Sequence, residues 1–241
     1  MGFKLHALLY LLLVLIPAQM MCAAETEQTF PSVPVIDLRD HNWGSGASFD
    51  LDGAWHAYWG KLYSPADIAA KLSLPIEYNV PAVWGERSDT VARLPALGYM
   101  TYHIKVRVPQ NIQPLYLYLP DMPSANKLWV NERFIAANGQ VEKTPILEKP
   151  GFLPKVLQMP RVHDGELDIV IQLSNYHYRE GGIWYSLRLT DETGLFAISQ
   201  RPVILAVLFG TILIVIGIYN FSMFAFRTKE VAALYFGWLC L

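Results

Sequence analysis

Residues 102–108, with the sequence YHIKVRV, alternate apolar and polar side chains along their whole length. Tyr102, Ile104, Val106 and Val108 take every second position, and polar or charged residues lie between them. Successive side chains of a β-strand point to opposite faces of its sheet, so this alternation predicts a strand with one buried and one solvated face. The stretch therefore predicts one strand of a β-sheet that packs against a core.

The same alternation recurs on both sides of that stretch. It is clearest in LYLYL at 115–119 and LDIVIQL at 167–173. Further strand-like segments are 53–59, 126–131, 133–137 and 183–189. Only residues 64–72 carry a short helical pattern, which Ser64 could cap. Many short strands with few helices are typical of a β-sandwich, so we expect a mostly β domain.

Both ends of the chain are apolar, whereas its middle has the composition of a soluble domain. The 241 residues are 53% hydrophobic and only 17% charged, against about 25% charged in ordinary soluble domains. Outside residues 25–201, the charged residues are Lys4, Arg227, Lys229 and Glu230. The formal net charge of −2 provides no basic footprint, so nucleic acid is not an expected partner.

The N-terminal end has the pattern of a secretory signal peptide. Residues 7–16 form an apolar run that Pro17 ends, and small residues at 22 and 24 predict cleavage after Ala24. An uncleaved N-terminal anchor is the alternative. We therefore expect a signal peptide over residues 1–24 and an exported domain over residues 25–201.

The C-terminal end has the pattern of a membrane span. Residues 202–224 contain no charge, and 23 residues at about 1.5 Å rise are long enough to cross the hydrocarbon core. The basic residues in the following loop, 225–230, favour a cytoplasmic position for it. Residues 231–241 are again apolar, which predicts the truncated start of a second span in a longer protein. A re-entrant or interfacial tail is the alternative.

Three residues of the first span are candidates for packing against other membrane helices. Gly210 and Gly217 are seven positions apart on one face, where small residues allow close approach of helices. Asn220 is a polar residue that would seek a partner on a neighbouring helix. The alternative for Asn220 is solvation among the cytoplasmic headgroups.

Three stretches together resemble a known domain family. They are LDGAWHAYWGKLYSP at 51–65, NVPAVWGE at 79–86 with LPALGYMTYHIKVRVP at 94–109, and SANKLWVNERFIAANGQV at 124–141. They are similar to the galactose-binding-like jelly rolls of β-galactosidases, in which a hairpin usually carries Asn-Gly. Here Glu132 follows Asn131 at that turn. The resemblance implies that the β-sandwich is a jelly roll.

The order of the parts resembles bacterial seven-transmembrane receptors with diverse intracellular signalling modules. In that family the span after the ectodomain commonly carries a Tyr-Asn pair, here Tyr219 and Asn220, before a short basic loop. The resemblance implies an inner-membrane protein with residues 25–201 in the periplasm. It also implies further membrane helices and a cytoplasmic kinase, cyclase or phosphatase output beyond this chain. Whether the receptor is a homodimer is left open.

Residues 174–185, SNYHYREGGIWY, are the strongest candidate for a binding site. An alternating strand runs here into a Gly-Gly loop, which would gather aromatic and charged side chains at one rim of the sandwich. Aromatic faces stack on sugar rings, and Arg or Glu side chains fix a ligand's orientation. The alternative is that the aromatic residues merely close the core. The predicted ligand-binding residues are Tyr176, His177, Tyr178, Arg179, Glu180, Trp184 and Trp84.

These patterns favour a sensor for a small molecule or carbohydrate over an enzyme. The sequence contains no Gly-rich phosphate loop, HExxH, CxxC or GxSxG motif. We therefore expect no catalysis by this chain and no cofactor. The alternative function is a membrane-tethered carbohydrate-binding or adhesion module without signalling. A structural calcium ion is a further alternative, for which Asp121, Asn126, Asn138 and Asp168 have suitable side chains.

Overall fold

The strands of the molecule form two stacked sheets with the apolar core between them. The computed structural model describes residues 30–240 except 45, 47, 86–93, 113, 163, 228 and 230, and it describes no side chains for 197–202. The predicted signal peptide and its cleavage site lie outside the described residues. The chain divides into the units Met1–Pro31 and Ser32–Leu241, and every element below belongs to the second.

The described residues form thirteen strands and three helices. The strands are β1 (Val35–Asp37), β2 (Ser48–Asp50), β3 (Gly53–Trp59), β4 (Ile76–Val80), β5 (Ala82–Val83), β6 (Gly98–Arg107), β7 (Leu115–Leu119), β8 (Ala125–Val130), β9 (Arg133–Asn138), β10 (Lys155–Gln158), β11 (Glu166–Asn175), β12 (Gly182–Ile183) and β13 (Arg188–Asp191). The helices are α1 (Pro65–Ala69), α2 (Glu192–Phe226) and α3 (Val231–Cys240).

The larger sheet has the order β4-β3-β6-β11-β8-β9, and β1 pairs in parallel with β6. The smaller sheet has the order β10-β7-β13-β2, and β5 pairs separately with β12. Side chains from both sheets build one buried apolar cluster. This arrangement confirms the predicted mostly β sandwich followed by an apolar helix and a shorter second one.

The central strand β6 has one apolar face, as predicted, but its other face is only partly solvated. Tyr102, Ile104 and Val106 are fully buried in the core. On the opposite face, Lys105 pairs with Glu166 at 2.6 Å on the neighbouring strand. Thr101 and His103, in the middle of that face, are buried because the segment after β3 covers them.

Thr101 marks the place where the covering segment attaches to the outer face of β6. Its hydroxyl donates to the carbonyl of Lys61 and accepts from the backbone N–H of Tyr63, both at 2.9 Å. The helix α1 follows directly, and Ser64 caps it as predicted by accepting from the N–H of Asp67. This cover buries a pair of histidines.

His56 and His103 are cross-strand partners beneath the cover, and both are almost fully buried. His103 Nε2 lies 2.8 Å from Asp168 Oδ1. Burial, and then the neighbouring His103, lowers the pKa of His56 from its usual value of 6.5, and Glu77 opposes this only in part. The folded protein therefore favours the neutral form of His56.

We expect the stability of the protein to fall as the pH drops below about 6.5. The lowered pKa means that the unfolded chain takes up a proton at His56 more readily than the folded chain. The stabilisation is complete above the unfolded-state pKa and is lost below it. Urea midpoints measured at pH 7.5 and 5.5 should differ less in His56→Gln than in the unchanged protein. The exposed His41→Gln is the control, and an equal change in both variants would contradict the assignment.

The hairpin between β8 and β9 turns through Asn131 and Glu132, which both have positive φ angles of 48° and 65°. Positive φ at both central residues defines a type I′ turn, which favours Asn followed by Gly. Asn131 suits it and also accepts from the N–H of Asp168 at 2.7 Å. Glu132 adopts the left-handed conformation without being glycine.

Glu132→Gly is expected to raise the free energy of unfolding by about 0.5–1 kcal/mol. The gain comes from removing the steric cost of the left-handed conformation, less the greater freedom of glycine in the unfolded chain. Chemical denaturation would measure it. Glu132→Ala is the matched control and should show no gain, because alanine bears the same steric cost.

The C-terminal helices form an apolar hairpin. Within α2, the segment Val203–Phe226 is long and apolar enough to cross a membrane. The helix itself begins at Glu192, ten residues before the predicted span. The helix α3 packs on it through Trp238, whose ring centroid lies 5.8 Å from that of Phe221, and through Gly237, which also faces the Phe221 ring.

The structure places the three predicted membrane-packing residues in different surroundings. Gly217 is buried, whereas a side chain added at Gly210 would meet open space. The Asn220 amide donates to the carbonyl of Ile216 at 2.9 Å within its own helix. A role of Gly210 and Asn220 in contacts with further helices stays a prediction.

Candidate functional site

The predicted rim lies one strand length away from the apolar helix. The loop of residues 176–187 leaves β11 and returns through β12 into β13. Strand β13 is four residues long, pairs with β7 and β2, and ends at Asp191, where α2 begins. The loop that carries the rim therefore enters β13 at one end, and the first turn of α2 follows the other end.

Three aromatic residues, Phe152, Tyr178 and Trp184, form what we call the rim cluster. The Phe152 and Tyr178 rings stack with centroids 5.3 Å apart and an interplanar angle of 23°. Trp184 meets Phe152 edge-on at 6.4 Å, and its indole N–H donates to the carbonyl of Gly181 at 3.2 Å. Tyr178 remains 37% exposed, so the cluster presents an aromatic face to solvent.

Asn175, the last residue of β11, fixes the position of Tyr178. Its side chain donates to the carbonyls of Ala96 and Tyr178 and accepts from the N–H of Tyr178, each at 3.0 Å. Asn175 is fully buried. Two hydrogen bonds from this side chain thus hold the turn that carries Tyr178, and a third ties Asn175 to Ala96.

A buried carboxylate, Glu148, anchors the start of the same loop. It accepts from the hydroxyls of Ser124 at 2.7 Å and Ser174 at 2.6 Å, and from the N–H of Tyr176 at 3.0 Å. His177 Nε2 lies 3.7 Å from its second oxygen. The Glu148 side chain is completely shielded from solvent, so these contacts replace its hydration.

The structure places some of the predicted binding residues in the rim cluster and others outside it. Tyr176 is half-buried, and burial raises the pKa of its hydroxyl, which donates to the carbonyl of Lys143 at 2.6 Å. Arg179 has a side chain 94% exposed and lies 3.6 Å from Glu180, so it extends into solvent. Tyr178 and Trp184 remain the predicted residues that belong to the rim cluster.

Trp84 does not reach the rim, which corrects the prediction that it joins the binding residues. It is fully buried, its indole N–H donates to the Tyr102 hydroxyl at 2.7 Å, and its ring meets Trp59 edge-on at 5.0 Å. A side chain at Gly181 would overlap the indole ring. Trp84 therefore packs beneath the Gly-Gly segment and supports it from inside.

Phe152 is a member of the rim cluster that sequence reasoning missed. It lies in an irregular segment between β9 and β10, and its own neighbours in the sequence show no period that indicates burial or exposure. Residue 178 is far away along the chain. Only the folded structure brings the two rings together.

The four calcium candidates do not form one site. Asp168 binds His103 on the outer face of the larger sheet, whereas Asn126 lies on the inner face with the core residues Leu128 and Val130. Within the described ranges, no group of three or more His, Cys, Asp or Glu side chains has a geometry suited to a metal ion. Their positions on opposite faces of a sheet rule out shared coordination by Asn126 and Asp168.

Asp191 joins the sandwich to α2, and we call its contacts the junction. Its side chain accepts from the N–H groups of Gly44 at 2.6 Å and Gly194 at 2.9 Å, and from the Thr193 hydroxyl at 2.6 Å. Thr193 in turn accepts from the N–H of Gly46 at 3.1 Å. Burial acts to raise the pKa of Asp191, but the hydrogen bonds outweigh it and lower that pKa overall.

Asp191→Ala is expected to destabilise the protein by about 1–2 kcal/mol. It removes the N-cap of α2 and leaves the amide of Gly44 without its acceptor. Amide hydrogen exchange should accelerate at Gly44 and Gly194. Asp191→Asn, which keeps one acceptor oxygen, is the control and should show a smaller effect. Unchanged exchange at both glycines in Asp191→Ala would contradict the role of the junction.

Comparisons with known proteins add little to this picture. No protein-family model matches the chain, and no curated protein matches it. Solved structures similar to it include a β-glucuronidase from Ruminococcus gnavus, at 15% identity and a TM-score of 0.42 over 59% of this chain and 28% of that chain. A β-glucuronidase from an uncultured Clostridium sp. aligns at 18% identity and a TM-score of 0.44 over 61% and 29% of the two chains.

The aligned regions thus span less than a third of those two enzymes. A likeness of this extent bears on neither the activity nor the ligand of this chain. The fold and the described contacts define the molecule as a β-sandwich with an aromatic rim, joined through one strand to a helix of membrane-spanning length.

Proposed function

We propose that the chain is the extracytoplasmic sensing part of a bacterial membrane receptor. Its sandwich binds a small ligand, with carbohydrate as the first class to test, and passes the binding event to a cytoplasmic output beyond this chain. The observation that carries the proposal is the short covalent path from the rim through β13 to Asp191 and α2. The chain itself acts as a receptor module and not as an enzyme.

The rim cluster supports binding of a ring-shaped ligand. Tyr178 presents a partly exposed aromatic face, and its position is fixed by Asn175 and by stacking on Phe152. Aromatic faces pack against the apolar C–H faces of sugar rings, and a face that is already held in place loses little entropy on binding. His177 precedes Tyr178 in the same loop and is also exposed.

The apolar helix supports placement in the inner membrane with the sandwich on the periplasmic side. Val203–Phe226 has the length and composition of a span, and Arg227 and Lys229 follow it. Basic residues next to a span favour the cytoplasmic side, so the preceding sandwich lies outside the cytoplasm. The helix α3 then begins the remaining membrane bundle, which leads to the output domain.

Signalling requires that the ligand favours one of two states of the receptor. A ligand held by the rim cluster changes the packing of residues 176–187, and those residues continue directly into β13. Because the junction fixes the end of β13 to the first turn of α2, a shift of the strand reaches the helix without crossing a flexible linker.

Binding is tested with the whole chain purified in detergent micelles. Glycans and small metabolites are screened by thermal shift, and hits are measured by titration calorimetry. Tyr178→Ala and Trp184→Ala are expected to weaken a hit at least tenfold. Tyr185→Ala, an exposed aromatic neighbour outside the cluster, is the matched control and should bind normally. Hits that bind both rim variants as tightly as the unchanged chain would reject this site.

Coupling is tested by hydrogen exchange in the presence of a confirmed ligand. A sensor should show altered protection of the amides of Gly44 and Gly194 at the junction. Unaltered protection at saturating ligand would favour the alternative of a tethered binding or adhesion module without signalling. Sequencing of the gene beyond residue 241 gives the second discriminator, since a sensor requires further spans and a cytoplasmic domain.

A further inference from the structure

Asn126 is a buried amide to which the described residues offer no partner. The residue lies on β8 and has no exposed surface, and in the described part of the chain neither its side-chain nitrogen nor its side-chain oxygen has a hydrogen-bond partner. Leaving both atoms unpaired in the core is costly, since each buried polar group normally finds a partner. The position is adjacent to apolar core residues, where leucine would pack without that cost. An unpaired donor and acceptor side by side therefore point to a polar group from outside the chain.

The residues next to Asn126 contact the segment that carries Phe152. Its cross-strand partner is Asn138, whose amide donates to the carbonyl of Leu153 at 2.8 Å. Two residues before Asn126, the carbonyl of Ser124 accepts from the N–H of Gly151 at 2.9 Å. Gly151 and Leu153 flank Phe152 in the sequence, so the backbone of this rim residue passes the start of β8 and the end of β9.

A cation lies at the same edge of the sandwich. Lys155 pairs with the fully buried Leu119 in the smaller sheet, so its side chain points between the sheets. Its ammonium group reaches across to donate to the carbonyl of Ala137 on β9 at 2.6 Å. Ala137 is the neighbour of Asn138 and lies opposite Lys127. In the described part of the chain, this half-buried ammonium group has no carboxylate within ion-pair distance.

We propose that the ligand of the rim is a hydroxylated carboxylate, such as a sugar acid, whose polar end reaches Asn126 and Lys155. The Lys155 ammonium and the Asn126 amide N–H groups donate to the carboxylate, and the Asn126 amide oxygen accepts from a neighbouring hydroxyl. A neutral sugar leaves the ammonium group without an anion. This inference rests on the proposed function, because the ring of the same ligand stacks on the rim cluster.

The segment of residues 151–154 is the cover of this inner site. It connects the contact at Ser124 to β10 and carries Phe152, which is held in place by Tyr178. Entry of the ligand moves this segment, whereas Tyr178 keeps the position that Asn175 gives it and offers its ring to the ligand.

The test compares D-galacturonate with D-galactose, which differ at one carboxylate, on the whole chain in detergent micelles. Calorimetry should show galacturonate binding at least tenfold more tightly. Asn126→Leu and Lys155→Met should each weaken galacturonate at least tenfold. Lys127→Met removes a cation from the other face of the strand that carries Asn126, and it should change the affinity less than twofold. The thermal midpoint of Asn126→Leu without ligand should be unchanged or higher, which shows that lost binding is not unfolding.

The remaining outcomes either distinguish the rim site from the inner site or overturn the inference. If Tyr178→Ala weakens both sugars while Asn126→Leu and Lys155→Met change neither, the rim site stands and the inner site is rejected. If Asn126→Leu abolishes galacturonate binding while Tyr178→Ala leaves it unchanged, the inner site stands without the rim. Equal affinity for the two sugars, no binding of either, or a lower midpoint for Asn126→Leu without ligand overturns the inference.

Discussion

Glu148→Ala is expected to lower the free energy of unfolding by about 3–5 kcal/mol. The change leaves the Ser174 hydroxyl and the N–H of Tyr176 without their acceptor, and it leaves the Ser124 hydroxyl only the carbonyl of Ser174, at 3.4 Å. Each such group costs about 1–3 kcal/mol when it stays unpaired. For a domain of this size, the thermal midpoint should fall on the order of 10 °C. The same variant should lose ligand binding at the rim, because the start of the loop is no longer anchored.

Glu148→Gln is the control for that experiment. Glutamine has nearly the same shape and keeps one acceptor oxygen for the two serines, so it should lose clearly less stability than alanine. Calorimetric or denaturant unfolding of both variants in the same micelles gives the comparison. A midpoint within about 2 °C of the unchanged protein in Glu148→Ala would show that water replaces the carboxylate at no cost, and would remove Glu148 from the account of the rim.

Trp84→Ala is expected to destabilise the protein by about 3–5 kcal/mol, the usual cost of removing a large aromatic side chain from a core. The indole is fully buried, contacts Trp59 and donates to Tyr102, and Gly181 packs on its face. Its loss leaves a cavity directly beneath the Gly-Gly segment. Chemical denaturation measures the effect, and the midpoint should fall clearly.

Trp184→Ala is the matched control, since it removes the same kind of side chain from a half-buried position in the rim cluster. We expect it to cost less than about 1.5 kcal/mol, because less apolar area is involved. It should instead weaken ligand binding. A larger loss of stability in Trp184→Ala than in Trp84→Ala would reverse the roles assigned to the two tryptophans.

Period-two patterning predicts the long central strands well. The alternation in residues 102–108, 115–119 and 167–173 is long enough to identify β6, β7 and β11, and their apolar positions form the core. It fails for β1 and β2, because three residues carry too little of a period. The predicted strand 183–189 divides into β12 and β13, with Trp184 turned to the rim between them.

The sequence predicts only those residues of the candidate site that lie close together along the chain. Tyr178 and Trp184 follow from a strand that enters a Gly-Gly loop. Phe152 and Glu148 come from a distant irregular segment, and no local pattern places them against that loop. Trp84 is an aromatic residue of the kind expected at a sugar-binding rim, but in the structure it is buried in the core. Residue type alone therefore does not show which tryptophan lies at the rim.

The helix α2 starts at Glu192, well before the apolar segment that begins at Val203. At about 1.5 Å per residue, the intervening turns are roughly 16 Å long, and in the proposed membrane placement they hold the sandwich that far above the bilayer. The whole helix is about 52 Å long by the same measure, so it is a lever with its pivot at Asp191. A rotation of about 5° there moves the far end by about 5 Å, which matches one turn of helix. In the proposed receptor, a small rotation at β13 would therefore become a much larger displacement at the cytoplasmic end of α2.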